Sequence, residues 1–131
     1  MIGLDTNVLV RYLAQDDEVQ SAQATRLIES LSVQRPGFIS QVSLVELVWV
    51  LESCYDTAHA VIAETLDRVL RTRVLLVENP ETVVAALRLF SAGHQDFADC
   101  LISCTAKKAG CQQVYSFDKK AIRRAGMVAV P

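Results

Sequence analysis

The 131-residue sequence lacks long apolar runs, any excess of charge of one sign, and more than a few aromatic residues. Its longest apolar segment, residues 42–51, is interrupted by Ser43 and Glu46. This segment falls short of the roughly 20 apolar residues that cross a bilayer, so we expect no membrane span. The first residues contain no basic leader or long apolar stretch, so we expect no signal peptide and a cytoplasmic protein.

The low net charge and the shortage of aromatic residues both bear on nucleic-acid binding. The formal charge is −2, so the totals do not predict a general polyanion-binding surface, and any such contact depends on a local basic patch. Aromatic residues make up 6% of the chain and form no evident platform for stacking unpaired bases. The sequence therefore predicts no particular target sequence.

The four cysteines form no C-x-x-C pair. In a reducing compartment such cysteines are typically small buried or half-buried apolar residues. A zinc site built from His94, Cys100, Cys104 and Cys111 is a minor alternative, because their spacing matches no structural zinc pattern.

The chain does contain enough apolar residues, 51%, for one domain spanning residues 1–131 with a real core. Short apolar runs alternate with longer helical periods, and this pattern predicts an α/β fold with a parallel sheet. We expect five short strands, near residues 1–4, 38–40, 74–77, 113–117 and 127–130. We expect about seven helices, near residues 6–14, 17–31, 41–54, 58–71, 80–92, 96–109 and 119–124.

Two acidic residues directly follow predicted strands. Asp5 comes after the first strand and Asp118 after the fourth. Ligands of parallel sheets bind beyond the carboxyl ends of the strands, so these two carboxylates are expected to converge there. The alternative for each residue alone is a helix cap, a position that Asp favours.

Three further acids lie on predicted helices. Glu46 belongs to a helix that is apolar nearly all round and is therefore expected to be largely buried. A buried carboxylate is costly unless it meets a cation or a wet cleft, so Glu46 predicts either a buried ion pair with an Arg or a place in a metal site. Asp96 and Asp99 start another helix, with Asp96 as the expected cap and Asp99 in the first turn.

Convergence of Asp5, Glu46, Asp99 and Asp118 would create strong mutual repulsion and raise some of their pKa values. Carboxylate clusters select hard cations such as Mg²⁺ or Mn²⁺. Such ions serve phosphoryl-transfer enzymes, so a nucleic-acid backbone is the natural substrate.

Four segments of the sequence resemble the motifs of a known family. Residues 4–13 (LDTNVLVRYL), Glu46 in its apolar helix, residues 96–102 (DFADCLI) and residues 116–118 (SFD) resemble the motifs of PIN-domain nucleases, in the right order over the whole chain. The DFAD segment looks most like VapC-type toxins of toxin–antitoxin pairs. The resemblance implies a three-layer α/β/α sandwich with a five-stranded parallel sheet. It also implies a metal-dependent endoribonuclease in which Mg²⁺ or Mn²⁺ is held by the catalytic acids Asp5, Glu46, Asp99 and Asp118.

The resemblance implies partners and supporting residues as well. A homodimer and a cognate antitoxin are expected, and apolar residues such as Trp49, Leu51 and Tyr55 are compatible with an antitoxin groove or with ordinary core packing. Other polar residues beside the acids are candidates for orienting carboxylates or a metal water, with backbone capping as the alternative. These supporting residues are Thr6, Asn7, Asp96 and Ser116.

Basic residues close to the acids are candidates for RNA phosphate contacts, with a solvated helix face as the alternative. They are Arg11, Lys119, Lys120, Arg123 and Arg124, with the pair at residues 107–108 nearby. A non-catalytic PIN-like module that binds RNA or protein is the second functional hypothesis, and a DNA substrate stays open. A receiver domain matches poorly, because it would have paired acids by the first strand and Asp5 stands alone. A haloacid-dehalogenase-type phosphatase also matches poorly, because it would need Asp-x-Asp after the first strand, where this sequence has Asp-Thr-Asn.

Overall fold

A computed structural model describes residues 1–93 and 96–131 of the chain. Within these residues the chain alternates short strands and helices much as the sequence predicts. In chain order the elements are β1 (Ile2–Gly3), α1 (Thr6–Ala14), α2 (Glu18–Glu29), β2 (Gly37–Ile39), α3 (Gln41–Tyr55), α4 (His59–Arg71), β3 (Leu75–Val77), α5 (Pro80–Ser91), α6 (Phe97–Lys108), β4 (Tyr115–Ser116), α7 (Lys119–Arg124) and β5 (Val128–Ala129).

The first three strands form one parallel sheet in the order β1-β2-β3. Ile2 lies opposite Gly37, and Phe38 lies opposite Leu76. Each strand leads from its carboxyl end into a helix, and the residue between them starts that helix. Asp5 follows β1 and caps α1, while Ser40 follows β2 and caps α3 through its side-chain oxygen. The carboxyl edge of the sheet is therefore lined by helix starts.

Local signals set the helix ends. Pro80 occupies the first turn of α5, where its missing N–H costs no hydrogen bond. Gly93 and Gly110 follow α5 and α6 with φ of 109° and 96°, a backbone region that glycine adopts without strain. Both glycines stand where the sequence predicted the two helices to end.

The main core lies between the three-stranded sheet and helices α1 to α6. Its largest fully buried side chains include Ile39 from β2, Leu47 from α3, Leu66 from α4 and Phe90 from α5. Phe97, at the start of α6, contacts the ring of Phe90 edge-on, with a centroid distance of 5.8 Å. This packing anchors the first turn of α6 against the core.

The five-stranded sheet expected from the resemblance is not what the structure contains. Strands β4 and β5 pair in parallel with each other, as a separate two-stranded sheet. A fourth strand in the middle of a parallel sheet would have to be buried on both faces. Tyr115 is instead 57% exposed and Phe117 is 86% exposed, so β4 lacks the burial of a central strand. The parallel pairing and the five strand positions are confirmed, but the single sheet was wrong.

Residues 114–131, which we call the C-terminal unit, have a small core of their own. Ala121, Ala125 and Met127 are buried there, with Val114 and Ile122 packed against them. One clear link to the rest of the chain is the Ser103 hydroxyl of α6, which donates a hydrogen bond of 2.7 Å to the Ala125 carbonyl. This link holds the end of α7 beside α6.

In the described parts of the chain, none of the helices has both the length and the apolar character needed to cross a membrane.

Candidate active site

The first turn of α6 presents two carboxylates because its apolar residues turn toward the core. Phe97, Cys100 and Leu101 are buried, whereas Asp96 is exposed and Asp99 is half-buried. Asp96 Oδ1 accepts a hydrogen bond of 3.1 Å from the backbone N–H of Asp99, so Asp96 is the predicted helix cap. The cap fixes the position of Asp99 relative to Asp96.

Asp118 has a similar place at the start of α7. Its Oδ1 accepts hydrogen bonds from the backbone N–H groups of Lys120 at 2.8 Å and Ala121 at 3.3 Å. The Asp118 N–H in turn donates to the Ser116 hydroxyl at 2.9 Å. One carboxylate oxygen of Asp118 is therefore occupied by the cap, and its orientation is set by the backbone.

Asp96, Asp99 and Asp118 line one small cavity of about 50 Å³ between α6 and α7. Lys120, Ala121, Arg124 and Ala125 complete the lining of this space, which we call the acid cavity. Burial raises the pKa of Asp99, and the charges of Asp96 and Asp118 raise it further. The expected approach of Asp99 and Asp118 is therefore present, and it leaves negative charge poorly compensated.

Asp5 lies at the carboxyl end of β1 but is not part of the lining of the acid cavity. Its Oδ1 accepts a hydrogen bond of 2.8 Å from the backbone N–H of Thr6, which is the capping role that the sequence left open. The Thr6 side chain is only 2% exposed, and its Oγ1 has no hydrogen-bond partner among the described residues. A buried hydroxyl without a partner is uncommon, and a water or an ion bound at this helix start would satisfy it.

The expectation that the Glu46 helix is largely buried was wrong. Val42 is 77% exposed and Trp49 is 63% exposed, and Glu46 itself is exposed on the same side of α3. Glu46 therefore needs neither a buried Arg partner nor a metal to account for its position. It borders an apolar groove of about 770 Å³ between α3 and α6, which includes Val45 and Ile102, and it does not line the acid cavity.

The chemistry of the acid cavity suits a hard divalent cation. The acidic side chains that line it are all aspartates, and a cation would offset both the burial and the neighbouring charges that raise the pKa of Asp99. Within residues 1–93 and 96–131, no three His, Cys, Asp or Glu side chains are arranged to hold one metal ion together. This arrangement fits Mg²⁺, which keeps several waters and commonly binds through one or two carboxylates plus substrate phosphates.

Two of the polar residues expected to support the acids have other contacts. Asn7 lines a groove between α1 and α2 rather than the acid cavity. The Ser116 hydroxyl contacts the backbone of Asp118 and not a carboxylate, so backbone capping, the alternative reading, describes it. Asp96 both caps α6 and lines the acid cavity, so it combines the two roles considered for it.

The basic candidates separate into two groups. Lys120 lines the acid cavity, while Lys119 and Arg123 are exposed elsewhere on α7. Arg11 is hydrogen-bonded to Gln20 Oε1 at 2.7 Å, and it also bonds to Asp16, which accepts from the Tyr55 hydroxyl. A phosphate at Arg11 would have to compete with these contacts.

Arg124, one of the basic residues after Asp118 that the sequence offered as phosphate contacts, lines the acid cavity from the last turn of α7. Glu52 on α3 is not among the residues that line the cavity, but its pKa is raised by burial and then by the charge of Asp96, and the nearby His59 opposes that rise. Because Glu52 matches no motif, no sequence signal pointed to it.

The cysteines are free thiols. The expectation that they are buried or half-buried is confirmed for Cys100 and Cys104 and was wrong for Cys54 and Cys111, which are exposed. Cys100 is fully buried in the core, where burial raises its pKa to about 12 and so disfavours the thiolate that zinc requires. Cys111 is exposed and Cys104 is half-buried, and no cysteine-containing metal cluster occurs in the described ranges. His94, the fourth member of the alternative zinc site, lies outside the described residues.

Comparison with known proteins agrees with this arrangement. Residues 2–127 match the model of the PIN domain. A VapC ribonuclease of Aquifex aeolicus (strain VF5) is 32% identical over 119 residues, which cover 89% of this chain and 87% of the relative. Both matches span nearly the whole chain, and the family match covers the positions of Asp5, Glu46, Asp99 and Asp118. The chain therefore belongs to the PIN-domain family and is of the VapC type.

Proposed function

We propose that this protein is a divalent-metal-dependent endoribonuclease that acts as the toxin of a toxin–antitoxin pair. The observation that carries the proposal is the acid cavity, where Asp99 from α6 and Asp118 from α7 lie together with the cations Lys120 and Arg124. Carboxylates that hold a metal and cations that hold a phosphate are the two needs of phosphodiester hydrolysis. The kinship to a VapC ribonuclease supports RNA as the substrate.

The proposed role of each residue follows from the polar atoms that it does not use in helix caps. Asp118 uses Oδ1 for its cap and keeps Oδ2 for a cation, and half-buried Asp99 offers its carboxylate beside it. Lys120 and Arg124 would bind the phosphate oxygens at the rim of the cavity. A bound Mg²⁺ or Mn²⁺ would polarise the phosphate and lower the pKa of the attacking water. Asp96 would orient Asp99 through the cap of α6.

Asp5 and Glu46 complete the proposed acid set on the strength of the family motifs. Asp5 lies at the carboxyl end of β1, and its Oδ2 is free of the cap. Thr6 places a buried hydroxyl next to it that has no partner among the described residues, which suits a hydrogen bond to a metal water. Lys119 and Arg123 on the exposed side of α7 are proposed as additional phosphate contacts, and Arg11 as a weaker one because of its internal partners.

The test is cleavage of labelled RNA by purified protein with Mg²⁺, with Mn²⁺ and with EDTA. We expect cleavage only with metal, and a loss of at least 100-fold in Asp99→Asn and in Asp5→Asn, in line with the catalytic worth of a metal. Glu29→Gln, which removes an exposed carboxylate outside the acid cavity, is the matched control and should retain full activity.

Other outcomes of the same assay decide among the alternatives. Equal cleavage by wild type and Asp99→Asn would reject the site. Metal-independent RNA binding without any cleavage would favour the non-catalytic binding module. A preference for DNA of matched sequence over RNA would move the substrate assignment to DNA.

A cognate antitoxin and a second copy of the chain are the proposed protein partners. The apolar groove between α3 and α6 supports a protein contact, because Val42, Trp49 and Ile102 are all exposed there. Leu51, considered earlier for such a surface, is buried in the core and does not contribute. Growth arrest on expression, relieved by Asp99→Asn, would support the toxin role, and a harmless soluble wild type would contradict it.

A further inference from the structure

A second groove, distinct from the apolar one, runs between α5, α6 and the end of α7. It has a volume of about 910 Å³ and an apolar floor that includes Leu89, Cys104 and Ala125. Its rim is basic and is formed by Arg88 from α5, Lys107 and Lys108 from α6, and Arg124 from α7. We call this surface the basic groove.

The charge of the basic groove is unlike that of the chain as a whole. Four cations line it, and its one acid, Glu81, lies 3.6 Å from Lys108. Arg88, Lys107 and Arg124 form no ion pair within 4.0 Å in the described parts of the chain. In a protein of net charge −2, this concentration of cations predicts an anionic occupant.

The basic groove is continuous with the acid cavity. Arg124 and Ala125 line both spaces. The hydrogen bond from the Ser103 hydroxyl to the Ala125 carbonyl ties this shared wall to α6. A polyanion with one phosphate in the acid cavity would therefore place its neighbouring phosphates beside the cations of the basic groove.

We propose that the basic groove holds the phosphate backbone of the RNA strand that flanks the scissile bond, with Arg88 and Lys107 as binding residues. This inference rests on the proposed nuclease function. Among the described residues, the groove lining contains no aromatic side chain on which a base would stack, so binding there is independent of base sequence. An acidic peptide would also meet the cations, but only a phosphodiester would also use a metal held in the adjoining acid cavity.

The test is binding of a labelled single-stranded RNA of about 12 nucleotides to Asp99→Asn protein, measured by fluorescence anisotropy in Mg²⁺. Arg88→Ala and Lys107→Ala should each weaken binding by roughly fivefold, and the double variant by roughly 25-fold. Each lost contact should reduce the slope of log Kd against log salt by about 0.7. The losses should be equal for U-rich, A-rich and C-rich strands. Arg124 is left intact because it also lines the acid cavity.

The matched control is Arg73→Ala, which removes an exposed arginine between α4 and β3, at the amino end of the sheet. It should bind RNA within twofold of the background protein. Arg88→Lys retains the charge and should restore most of the affinity lost in Arg88→Ala.

The outcomes separate this inference from the nuclease proposal. Metal-dependent cleavage by wild type, together with unchanged binding in the Arg88 and Lys107 variants, would overturn the groove and leave the nuclease standing. Groove-dependent binding by a protein that cleaves nothing would support the groove and overturn the nuclease. Loss of polyglutamate binding in these variants, with RNA binding unchanged, would overturn the inference in favour of a protein ligand.

Discussion

The two regions that meet at the acid cavity differ in how firmly they are packed. The body of the molecule around β1-β2-β3 buries large side chains completely, among them Ile39, Leu47 and Phe90. The C-terminal unit buries Ala121, Ala125 and Met127, two of which have little apolar surface to remove from water. Asp99 therefore lies on a firmly packed element, and Asp118 on a weakly packed one.

The difference in packing affects activity, because a site shared by a stable and a less stable region depends on the contact between the two regions as well as on the folding of each. The Ser103–Ala125 hydrogen bond and the lining of the acid cavity are where that contact occurs. Weakening the C-terminal unit should therefore reduce activity before it unfolds the body.

The largest expected difference is between core deletions in the two regions. Phe90→Ala should cost about 3–5 kcal/mol of unfolding free energy, because Phe90 is fully buried and contacts both His59 and Phe97. Met127→Ala should cost roughly 2 kcal/mol, at the low end for such a change, because its small cluster can collapse. Urea denaturation measures both, and equal costs would contradict the comparison.

A smaller effect should follow from cutting the link between the regions. Ser103→Ala removes a hydrogen bond of 2.7 Å and leaves the Ala125 carbonyl without that donor, at a cost of about 1 kcal/mol. Amide hydrogen exchange should become faster in residues 114–131 and stay unchanged in α4 and α5. Faster exchange across the whole chain would show that the two regions open as one unit.

The smallest effect concerns the ionisation of Asp99, at the boundary of the two regions. Burial, then the charge of Asp96 and last that of Asp118 raise the pKa of Asp99 in the folded protein, so its ionisation opposes folding. This loss of stability is absent below the unfolded pKa of about 3.9 and complete above the folded pKa. In EDTA at pH 7, Asp99→Asn should therefore melt up to about 3 °C higher than wild type, and at pH 3 the two should coincide. If Asp99→Asn raised the Tm at pH 3 but not at pH 7, the assigned direction of the Asp99 pKa shift would be wrong.

The sequence predicted the elements well because their signals are local. Asp5 and Asp96 marked helix starts that the structure confirms. The helix expected from residue 80 begins at Pro80, although Asn79 before it makes no side-chain cap hydrogen bond. The approach of Asp99 and Asp118 was a hypothesis that the resemblance to a family supported, because helix positions alone give no distance between the two carboxylates.

The features that the sequence did not predict depend on which surfaces meet. The pattern of residues 113–117 indicates a strand but does not name its partner, and β4 pairs with β5 instead of joining the first sheet. The apolar residues of α3 indicate burial, yet nothing within one chain covers Val42 and Trp49 in the described structure. Arg88 lies in the basic groove because α5 packs beside α6, and the sequence did not predict that contact.

The central claim is that Asp99 and Asp118, one from each region, act on the same divalent ion. Titration of Mn²⁺ into wild type, Asp99→Asn, Asp118→Asn and the double variant tests it directly, and Asn preserves the cap that Asp118 provides. Mn²⁺ should bind saturably to wild type, each single variant should weaken that binding by at least about tenfold, in line with removal of a group from a metal site, and the double variant should bind at least as weakly as the worse single one. Unchanged Mn²⁺ affinity in either single variant would contradict a shared site.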